Sequence, residues 1–304
     1  MKWGKYCQRK VFFFLRILAT KLEESFAICK ERLLDSYFER NLRTVGILEK
    51  DQLNQIRSSK IAVAGLGLGG STFINLIRFG VEKFNIADPD IFERTNINRQ
   101  RGAKERTIRS RKDETLLDEA KSINPDVSVC LFKEGVKKSN VERFITGANF
   151  IVDAIDIFAL EDKLELHAKA RALNIPVLVC GSIGFGATVA IFDSTTPTFN
   201  DVSKICSENS ERKNVELFVN FIAPRIPHYM EDQVRKAILE DSHIPFVVSG
   251  VELAAALSVC EIAKYLLKLG RNVLAPTGIY IDPINLKIEK FDMNSTSRAF
   301  IKCA

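Results

Sequence analysis

The sequence has few of the residues that build disulfide frameworks and metal centres. It contains no Cys-x-x-Cys pair, its seven cysteines stand singly, and its three histidines are scattered. A dispersed, odd set of cysteines is typical of reduced thiols in a cytoplasmic protein. A structural zinc site is not expected, because such sites need closely spaced Cys and His ligands.

The sequence also lacks an apolar run long enough for a membrane span or a signal peptide. The best candidate, residues 11–19, is interrupted by Arg16, whereas a spanning helix needs about 20 apolar residues. Apolar residues recur at helical spacing over about residues 11–36, which predicts a basic amphipathic N-terminal helix. Such a helix would pack on the body of the protein, on a dimer mate, or on an anionic membrane surface.

An excess of positive charge is absent from most of the chain. The formal net charge is +6, but six basic residues and no acidic ones lie within the first 21 positions. Positions 22–304 therefore hold 38 basic and 38 acidic residues. No nucleic-acid partner is expected, because nucleic-acid binders usually carry a dominant basic face.

What the chain does contain is a regular alternation of short apolar strands with helical patterns. Strands are predicted at residues 60–64, 83–87, 127–132, 150–153, 176–180 and 187–192. This alternation predicts an α/β fold with a Rossmann-like, doubly wound, mostly parallel sheet. A long apolar helix (250–269) and an antiparallel hairpin (278–291) are predicted to close the same sheet.

The patterns divide the chain into three regions. Residues 1–50 form an N-terminal helical segment, and residues 51–195 form a nucleotide-binding Rossmann-like domain. Residues 196–304 begin with an irregular, substrate-facing segment and end with the long helix and the hairpin. The irregular interpretation of residues 193–249 rests on the prolines and polar residues that interrupt them.

A glycine-rich turn follows the first predicted strand. Gly65, Gly67 and Gly70 match G-x-G-x-x-G ahead of a helical pattern. Glycines let the chain turn tightly and bring backbone amides close to phosphate oxygens at a helix N-terminus. Asp88 ends the next strand, where a carboxylate can bind ribose hydroxyls. A purely structural turn and a strand-end cap are the alternatives, and the motif does not separate NAD from ATP.

The segment after Asp88 favours a triphosphate. Asp90 is followed by Asn96, Arg99 and Gln100, and an NAD site has no need of an arginine and amide cluster there. A triphosphate site does, because a guanidinium binds phosphate oxygens bidentately and stabilises charge on a departing pyrophosphate.

Taken together, these motifs resemble the ThiF/MoeB/HesA family, relatives of the ubiquitin-activating enzymes. The resemblance starts at Phe38-Glu39-Arg40-Asn41 and continues through the glycine turn, Asp88, Asp90 and the Asn96–Gln100 motif. It includes Lys112 ahead of Ile123-Asn124-Pro125, and then Asp153 and Asp156. It covers about residues 38–192 and extends more loosely over the final helix and hairpin.

The resemblance implies an ATP-dependent adenylyltransferase that activates a carboxylate as an acyl-adenylate and releases pyrophosphate. Residues 51–195 would then be an ATP-binding domain. The acceptor would be the C-terminus of a ubiquitin-like or sulfur-carrier protein, a peptide, or a small acid. A homodimer is implied, because one triphosphate-contacting arginine of the family comes from the partner subunit, and Arg40 or Arg99 would act in this way.

The resemblance also implies a role for each matched residue. Arg99, Lys112 and Asp156 would be catalytic, with Asp156 as the ligand of Mg²⁺. The nucleotide would be bound by Gly65, Gly67, Gly70, Asp88, Asp90, Asn96, Gln100 and Arg40. A solvated helix face is the alternative for the basic residues, and a helix N-cap is the alternative for Asp156.

Several departures from the family pattern keep other functions open. Ile157 and Glu161 stand where the family often has Asn and Arg, and its paired zinc-binding cysteines are missing. No cysteine is identified as a thioester-forming nucleophile: Cys180 lies in an apolar strand, and Cys206 lies in the irregular segment. The alternatives are an NAD-dependent oxidoreductase and a non-catalytic nucleotide-binding module of the same fold.

Overall fold

The computed structural model describes residues 36–156, 158–239 and 244–294. They belong to two units, one that ends at Lys50 and one that begins at Asp51. The described part of the first unit contains helix α1 (Ser36–Arg40) and a series of turns. The helix predicted over about residues 11–36 lies outside the described residues, apart from its last position.

The second unit contains an eight-stranded sheet in the order β3-β2-β1-β4-β5-β6-β7-β8. Its strands are β1 (Lys60–Ala64), β2 (Lys83–Ala87), β3 (Ser128–Phe132), β4 (Phe150–Asp153), β5 (Val177–Ile183), β6 (Gly186–Phe192), β7 (Thr277–Asp282) and β8 (Lys287–Asp292). The neighbours from β3 to β5 are parallel. The neighbours from β5 to β8 are antiparallel. The predicted mostly parallel, Rossmann-like sheet with an antiparallel extension is confirmed.

Helices connect the strands and cover the sheet. They are α2 (Lys50–Ser58), α3 (Gly69–Phe79), α4 (Lys112–Ile123), α5 (Val141–Ile145), α6 (Leu160–Ala172), α7 (Phe199–Ser203), α8 (Glu211–Ile222), α9 (Glu231–Leu239) and α10 (Val248–Leu267). Short 3-10 helices occupy Arg94–Asn96, Glu105–Thr107 and His228–Met230. Among the described residues, no helix has the length and apolar character needed to cross a membrane.

The central strands are apolar along their whole length. Every residue of β4, β5 and β6 is buried, and so are the last four of β1. Strands buried on both faces read as continuous apolar runs because helices cover both sides of the sheet. Helix α10 packs against α3, β5 and β6, so the long apolar helix predicted near the C-terminus forms part of the core.

The irregular interpretation of residues 193–249 is wrong. This stretch contains α7, α8 and α9, and their apolar side chains join the core beside β5 and β6. The prolines that suggested an irregular segment lie between these helices: Pro197 precedes α7, and Pro224 and Pro227 separate α8 from α9. Proline is tolerated at such boundaries, because it disrupts the interior of a helix and not its ends.

The strand order places a crevice beside β1. Strand β1 lies between β2 and β4, so the connections after β1 and after β4 leave the same edge of the sheet in different directions. In open α/β sheets, ligands bind at this switch point, beyond the carboxyl ends of the strands. The glycine turn follows β1 and the segment with Asp156 follows β4, so both lie at this edge.

Candidate active site

The glycine turn passes close to the backbone that follows β4. Gly65 has φ +84, a left-handed conformation that glycine adopts without strain. Its amide donates to the Ala87 carbonyl at 2.8 Å. A Cβ on Gly65 would collide with the Ala154 carbonyl, so only glycine lets the turn after β1 and the turn after β4 come so near.

Helix α3 begins inside the glycine motif. Its N-cap residue, Leu68, offers no side-chain hydrogen bond. The Ser71 amide donates to the Leu68 carbonyl at 3.1 Å, so the amides of Gly69 and Gly70 are the ones left for another partner. A Cβ on Gly70 would lie 2.9 Å from Leu116 Cδ1 of α4, so this glycine permits close packing of α3 on α4. Uncapped amides at a helix N-terminus, together with the helix dipole, form a binding site for phosphate.

Asp88 holds the glycine turn from the end of β2. Its Oδ2 accepts a hydrogen bond from the Leu66 amide at 2.6 Å and its Oδ1 accepts one from the Asp90 amide at 2.8 Å. Burial raises the pKa of Asp88, and the nearby Lys112 charge opposes this rise. The Nζ of Lys112, itself buried, lies 2.9 Å from Asp90 Oδ2. Asp88, Asp90 and Lys112 therefore form one group beside the turn.

The predicted arginine and amide motif starts at Asn96, the last residue of the first 3-10 helix, and continues in the turn that follows. The Oδ1 of Asn96 accepts from the Glu93 amide at 2.9 Å, so Asn96 shapes the loop. The Arg99 guanidinium donates to the Thr95 carbonyl at 2.9 Å and lies 5.1 Å from the centre of the Phe246 ring. Burial lowers the pKa of Arg99, although an arginine stays charged in proteins.

The two aspartates at the end of β4 lie in opposite environments. Asp153 is fully buried, and its Oδ1 and Oδ2 lie 2.7 and 2.6 Å from Lys163 Nζ. His167 Nε2 lies 2.8 Å from Asp153 Oδ2. Asp156 is exposed, and its Oδ1 accepts from the Phe158 amide at 3.1 Å. One carboxylate is compensated by its neighbours, and the other faces solvent.

The charges of the buried cluster follow from its contacts. Burial by itself would raise the pKa of Asp153, but the charge of Lys163 and the hydrogen bonds from Lys163 and His167 lower it to about 2. Burial lowers the pKa of His167 against the opposing effect of Asp153. His167 is therefore neutral near pH 7, and its Nε2–H donates to the ionised Asp153.

A single cavity of about 390 Å³ joins several predicted residues, namely Gly67, Arg99, Gln100 and Asp156. Asp153 and Lys163 also border it. Most of the remaining lining is apolar and includes side chains of β5, α8 and α9. Asp88, Asp90 and Lys112 form their separate group beside the turn, and Arg40 lies exposed in the N-terminal unit.

The site offers one carboxylate for a magnesium ion. Among the described residues, no three His, Cys, Asp or Glu side chains gather into a metal-binding group. Magnesium keeps several waters and is commonly held by one or two carboxylates together with substrate phosphates, so the exposed Asp156 fits it. Asp153 does not, because Lys163 and His167 already occupy its oxygens.

Sequence reasoning missed the partners of Asp153 and the wall of the cavity. Lys163 and His167 are four residues apart on α6 and so share a helix face, which was a usable signal. Phe246 and Ser182 carried no such signal, because their approach to the site depends on how α10 and the β5–β6 hairpin pack. The side-chain oxygens of Gln100 and Ser182 are buried without a hydrogen-bond partner in the described part of the chain.

The fold and the site together define the class of protein. A mostly parallel sheet, a glycine turn that opens a helix and a polar crevice at the switch point define a Rossmann-like α/β protein. The ThiF family model matches residues 38–300. The chain therefore belongs to the ThiF family, and the resemblance seen in its motifs is confirmed.

Similar proteins are found among characterised sequences and solved structures. The chain is 30% identical to the tRNA threonylcarbamoyladenosine dehydratase of Haemophilus influenzae over 173 residues. The matched region covers 56% of this chain and 64% of that protein. It is 31% identical to the sulfur carrier protein ThiS adenylyltransferase of Bacillus subtilis over 147 residues. That match covers 47% of this chain and 43% of the relative. The chain thus spans less than two thirds of each relative.

The structural likeness covers more of the chain. The crystal structure of PaaA superposes with a TM-score of 0.65 at 18% identity, over 90% of this chain and 92% of that one. The structure of E. coli MccB with ATP gives a TM-score of 0.62 at 17% identity, over 80% of this chain and 66% of that one. At these identities the likeness establishes the fold.

Proposed function

We propose that the chain is an ATP-dependent adenylyltransferase that converts a carboxylate into an acyl-adenylate and releases pyrophosphate. One observation carries the proposal: Gly67 of the glycine turn, Arg99 and Asp156 line the same cavity. Backbone amides at a helix N-terminus, a guanidinium and a free carboxylate are the groups that a polyphosphate and its magnesium ion need. The name of the ThiS adenylyltransferase relative supports the same activity.

The nucleotide is proposed to lie across the carboxyl ends of β1 and β2. Its phosphates would face the first turn of α3, Arg99 and Gln100, and its ribose would lie near Asp88. Each Asp88 oxygen accepts one backbone amide and keeps capacity for a further hydrogen bond. Lys112 would add positive charge beside the phosphates, in exchange for part of its contact with Asp90.

Asp156 is proposed to bind the magnesium ion. Its Oδ1 already accepts one amide hydrogen bond, which orients the carboxylate and leaves Oδ2 for the metal. When bound, magnesium would neutralise phosphate charge during transfer. The compensated Asp153 would instead hold the start of α6, and with it the turn that carries Asp156.

The reaction is an in-line displacement at the α-phosphorus. An oxygen of the acceptor carboxylate forms the new P–O bond, the bond to the bridging oxygen of pyrophosphate breaks, and pyrophosphate leaves with the electron pair. A carboxylate is ionised at neutral pH, so no general base is required. Catalysis would come from positioning and from the charges of Arg99 and the metal site.

The acyl group is proposed to pass to an external acceptor. Cys180 borders the cavity, but burial raises its pKa to about 11, so its thiol is protonated near pH 7 and is a poor nucleophile. The acceptor carboxylate would belong to a ubiquitin-like or sulfur-carrier protein, a peptide or a small acid. A cytoplasmic homodimer, with Arg40 or Arg99 reaching the partner's site, is part of the same proposal.

The test is ATP–pyrophosphate exchange with a panel of carboxylates. The panel contains peptides with glycine at the C-terminus, peptides with other final residues, and small free acids. Exchange that depends on magnesium and falls in Asp156→Asn and Arg99→Ala supports adenylation. Tight ATP binding without exchange for any acceptor would favour the non-catalytic module, and NAD binding in place of ATP would favour the oxidoreductase.

A further inference from the structure

The Asn98 side chain joins the loop of Arg99 to the segment that precedes α10. Its Oδ1 accepts a hydrogen bond from Arg99 Nη1 at 2.9 Å, and its Nδ2 donates to the Phe246 carbonyl at 3.1 Å. The Cζ of Arg99 lies 5.1 Å from the centre of the Phe246 ring. These three residues, the Arg99 cluster, form a closed unit: one amide holds both the guanidinium and the backbone of the residue whose ring contacts it.

The elements around Phe246 fix its place in the fold. Phe246 forms an isolated parallel bridge with Gly184, in the turn between β5 and β6, and it lies two positions before the start of α10. Its side chain is half-buried and lines the cavity together with Arg99. The position of the ring is therefore set by β5, β6 and α10, and not by the loop that carries Arg99.

The hydrogen bonds of Arg99 occupy only one nitrogen of its guanidinium. Nη1 donates to the Thr95 carbonyl at 2.9 Å as well as to Asn98, so both of its N–H groups are used. Among the described residues, no acceptor meets Nε or Nη2. These two nitrogens form a side of the guanidinium that can bind two phosphate oxygens in parallel. The Arg99 cluster thus holds the side chain and leaves a phosphate-binding side available.

An arginine at this place needs support before the nucleotide arrives. A long side chain loses rotamer entropy when it is fixed, and Arg99 is half-buried, so its charge also loses part of its hydration. An aromatic face attracts a guanidinium and offsets part of both losses. Because the guanidinium is already held, phosphate binding does not have to order it, and the charge is in place when the transition state forms.

We infer that Phe246 is a positioning residue for the Arg99 guanidinium, and that Asn98 holds the ring and the guanidinium together. The inference rests on the proposed adenylation, in which Arg99 binds the phosphates. Phe246 acts through Arg99, so loss of its ring weakens the contribution of Arg99 and has no further effect once Arg99 is removed. A residue that only packs the cavity would act independently of Arg99.

The first experiment observes the guanidinium by NMR in the isotope-labelled full chain. The Nε–H signal of Arg99 is assigned by its absence from Arg99→Ala. An aromatic ring displaces the resonances of protons near its face, so the wild type and Phe246→Tyr are expected to show this signal away from those of exposed arginines. In Phe246→Leu it moves to the exposed-arginine position. Asn98→Ala, at an exposed position, should move the same signal and serves as a second variant.

The second experiment is a double-mutant cycle in ATP binding and in ATP–pyrophosphate exchange. Phe246→Leu is expected to lower exchange by about 3–10-fold, within the range of a cation–π contact, and Phe246→Tyr should retain at least about half of the wild-type rate. The double variant Arg99→Ala/Phe246→Leu should match Arg99→Ala within about twofold. Phe185→Leu, whose ring contacts Tyr229 in the neighbouring turn, is the matched control and keeps full exchange. Thermal unfolding verifies that each variant folds.

The outcomes separate the inference from the proposed function. An Arg99 signal that stays in place in Phe246→Leu overturns the inference, and so do unchanged exchange in that variant or losses that multiply in the double variant. The proposed adenylation survives these results as long as the wild type catalyses exchange. A signal that moves, with coupled losses of ATP affinity but no exchange for any acceptor, supports the inference and counts against adenylation. A wild-type chain that binds no ATP overturns both.

Discussion

Asp153, the last residue of β4, and Asp156, in the turn that follows, lie three positions apart in opposite environments. Asp153 is buried with Lys163 and His167 on its oxygens, and Asp156 is exposed with one amide contact. A buried carboxylate with full compensation stabilises the local structure and has no free coordination site. An exposed carboxylate contributes little to stability and is available to a ligand. The comparison teaches that burial and the number of partners, more than residue type, decide whether a carboxylate is available to a ligand, and we propose a structural role for Asp153 and metal binding for Asp156 on that basis.

The largest expected effect comes from breaking the buried pair. Lys163→Met leaves Asp153 buried with His167 alone, and we expect the free energy of unfolding to fall by about 3–5 kcal/mol. The control is Lys133→Met, which removes the exposed pair between Lys133 and Glu114 and should cost at most about 1 kcal/mol. Urea unfolding measures both. Similar losses in the two variants would show that burial does not distinguish the pairs.

The second effect concerns Asp156. Asp156→Asn keeps an oxygen for the Phe158 amide and removes the negative charge. We expect ATP–pyrophosphate exchange to fall by roughly 10²–10³-fold, the usual cost of losing one electrostatic contact in a transition state, with an unchanged free energy of unfolding. Asp118→Asn, at an exposed position of α4, is the control and should retain full exchange. A stability loss without an activity loss would assign Asp156 to capping.

A smaller effect is expected at Arg99. Arg99→Ala removes a guanidinium that lines the cavity, and exchange should fall by about 10–100-fold, the range of a charge-assisted hydrogen bond. Arg94→Ala, in an exposed ion pair with Glu105, is the control from the same loop. Steady-state exchange with saturating ATP measures both variants. Unchanged exchange in Arg99→Ala would place the phosphates elsewhere.

The smallest effect is a dependence of stability on pH. Burial lowers the pKa of His167 below its ordinary 6.5, so the unfolded chain binds a proton more readily than the folded one. Stability is therefore full above about pH 6.5 and declines as the pH falls below it. Asp153, whose pKa is lowered to about 2 from 3.8, adds a further loss only as the pH falls below about 3.8.

The variant His167→Gln isolates the histidine contribution. The glutamine amide can still donate to Asp153 but does not titrate. Urea unfolding at pH 7 and pH 5 should give a smaller difference for this variant than for the wild-type chain. An equal difference in both chains would mean that other groups carry the pH dependence.

Much of the fold could be predicted from the sequence because the central strands are buried on both faces. Runs such as residues 60–64 and 150–153 are apolar throughout, and the structure places strands at these positions. The helices between residues 199 and 239 were missed because prolines and polar residues interrupt this stretch. Their apolar faces become evident only where they meet β5 and β6.

The site could be predicted in part for a related reason. Arg99, Gln100 and Asp156 belong to motifs whose spacing is local, and one cavity unites them. The partners of Asp153 come from α6, and the apolar lining of the cavity comes from β5, α8 and α9. Their convergence on the site depends on how helices pack on the sheet, which local spacing does not encode. Lys112 was expected with Arg99 and instead pairs with Asp90, since an ammonium and a carboxylate 22 positions apart meet only after β2 and α4 pack.

The contact of Gly65 with Ala154 has one further consequence. The loop proposed to receive the phosphates and the loop that carries Asp156, the proposed metal ligand, approach each other through main-chain atoms. The gap between them is therefore set by two polypeptide backbones and not by interchangeable side chains. In a chain with this arrangement, the distance between the two loops stays constant when side chains change. We therefore expect differences in substrate choice to arise from the side chains of α8 and α9 that line the cavity, because their bulk can vary without moving these two loops.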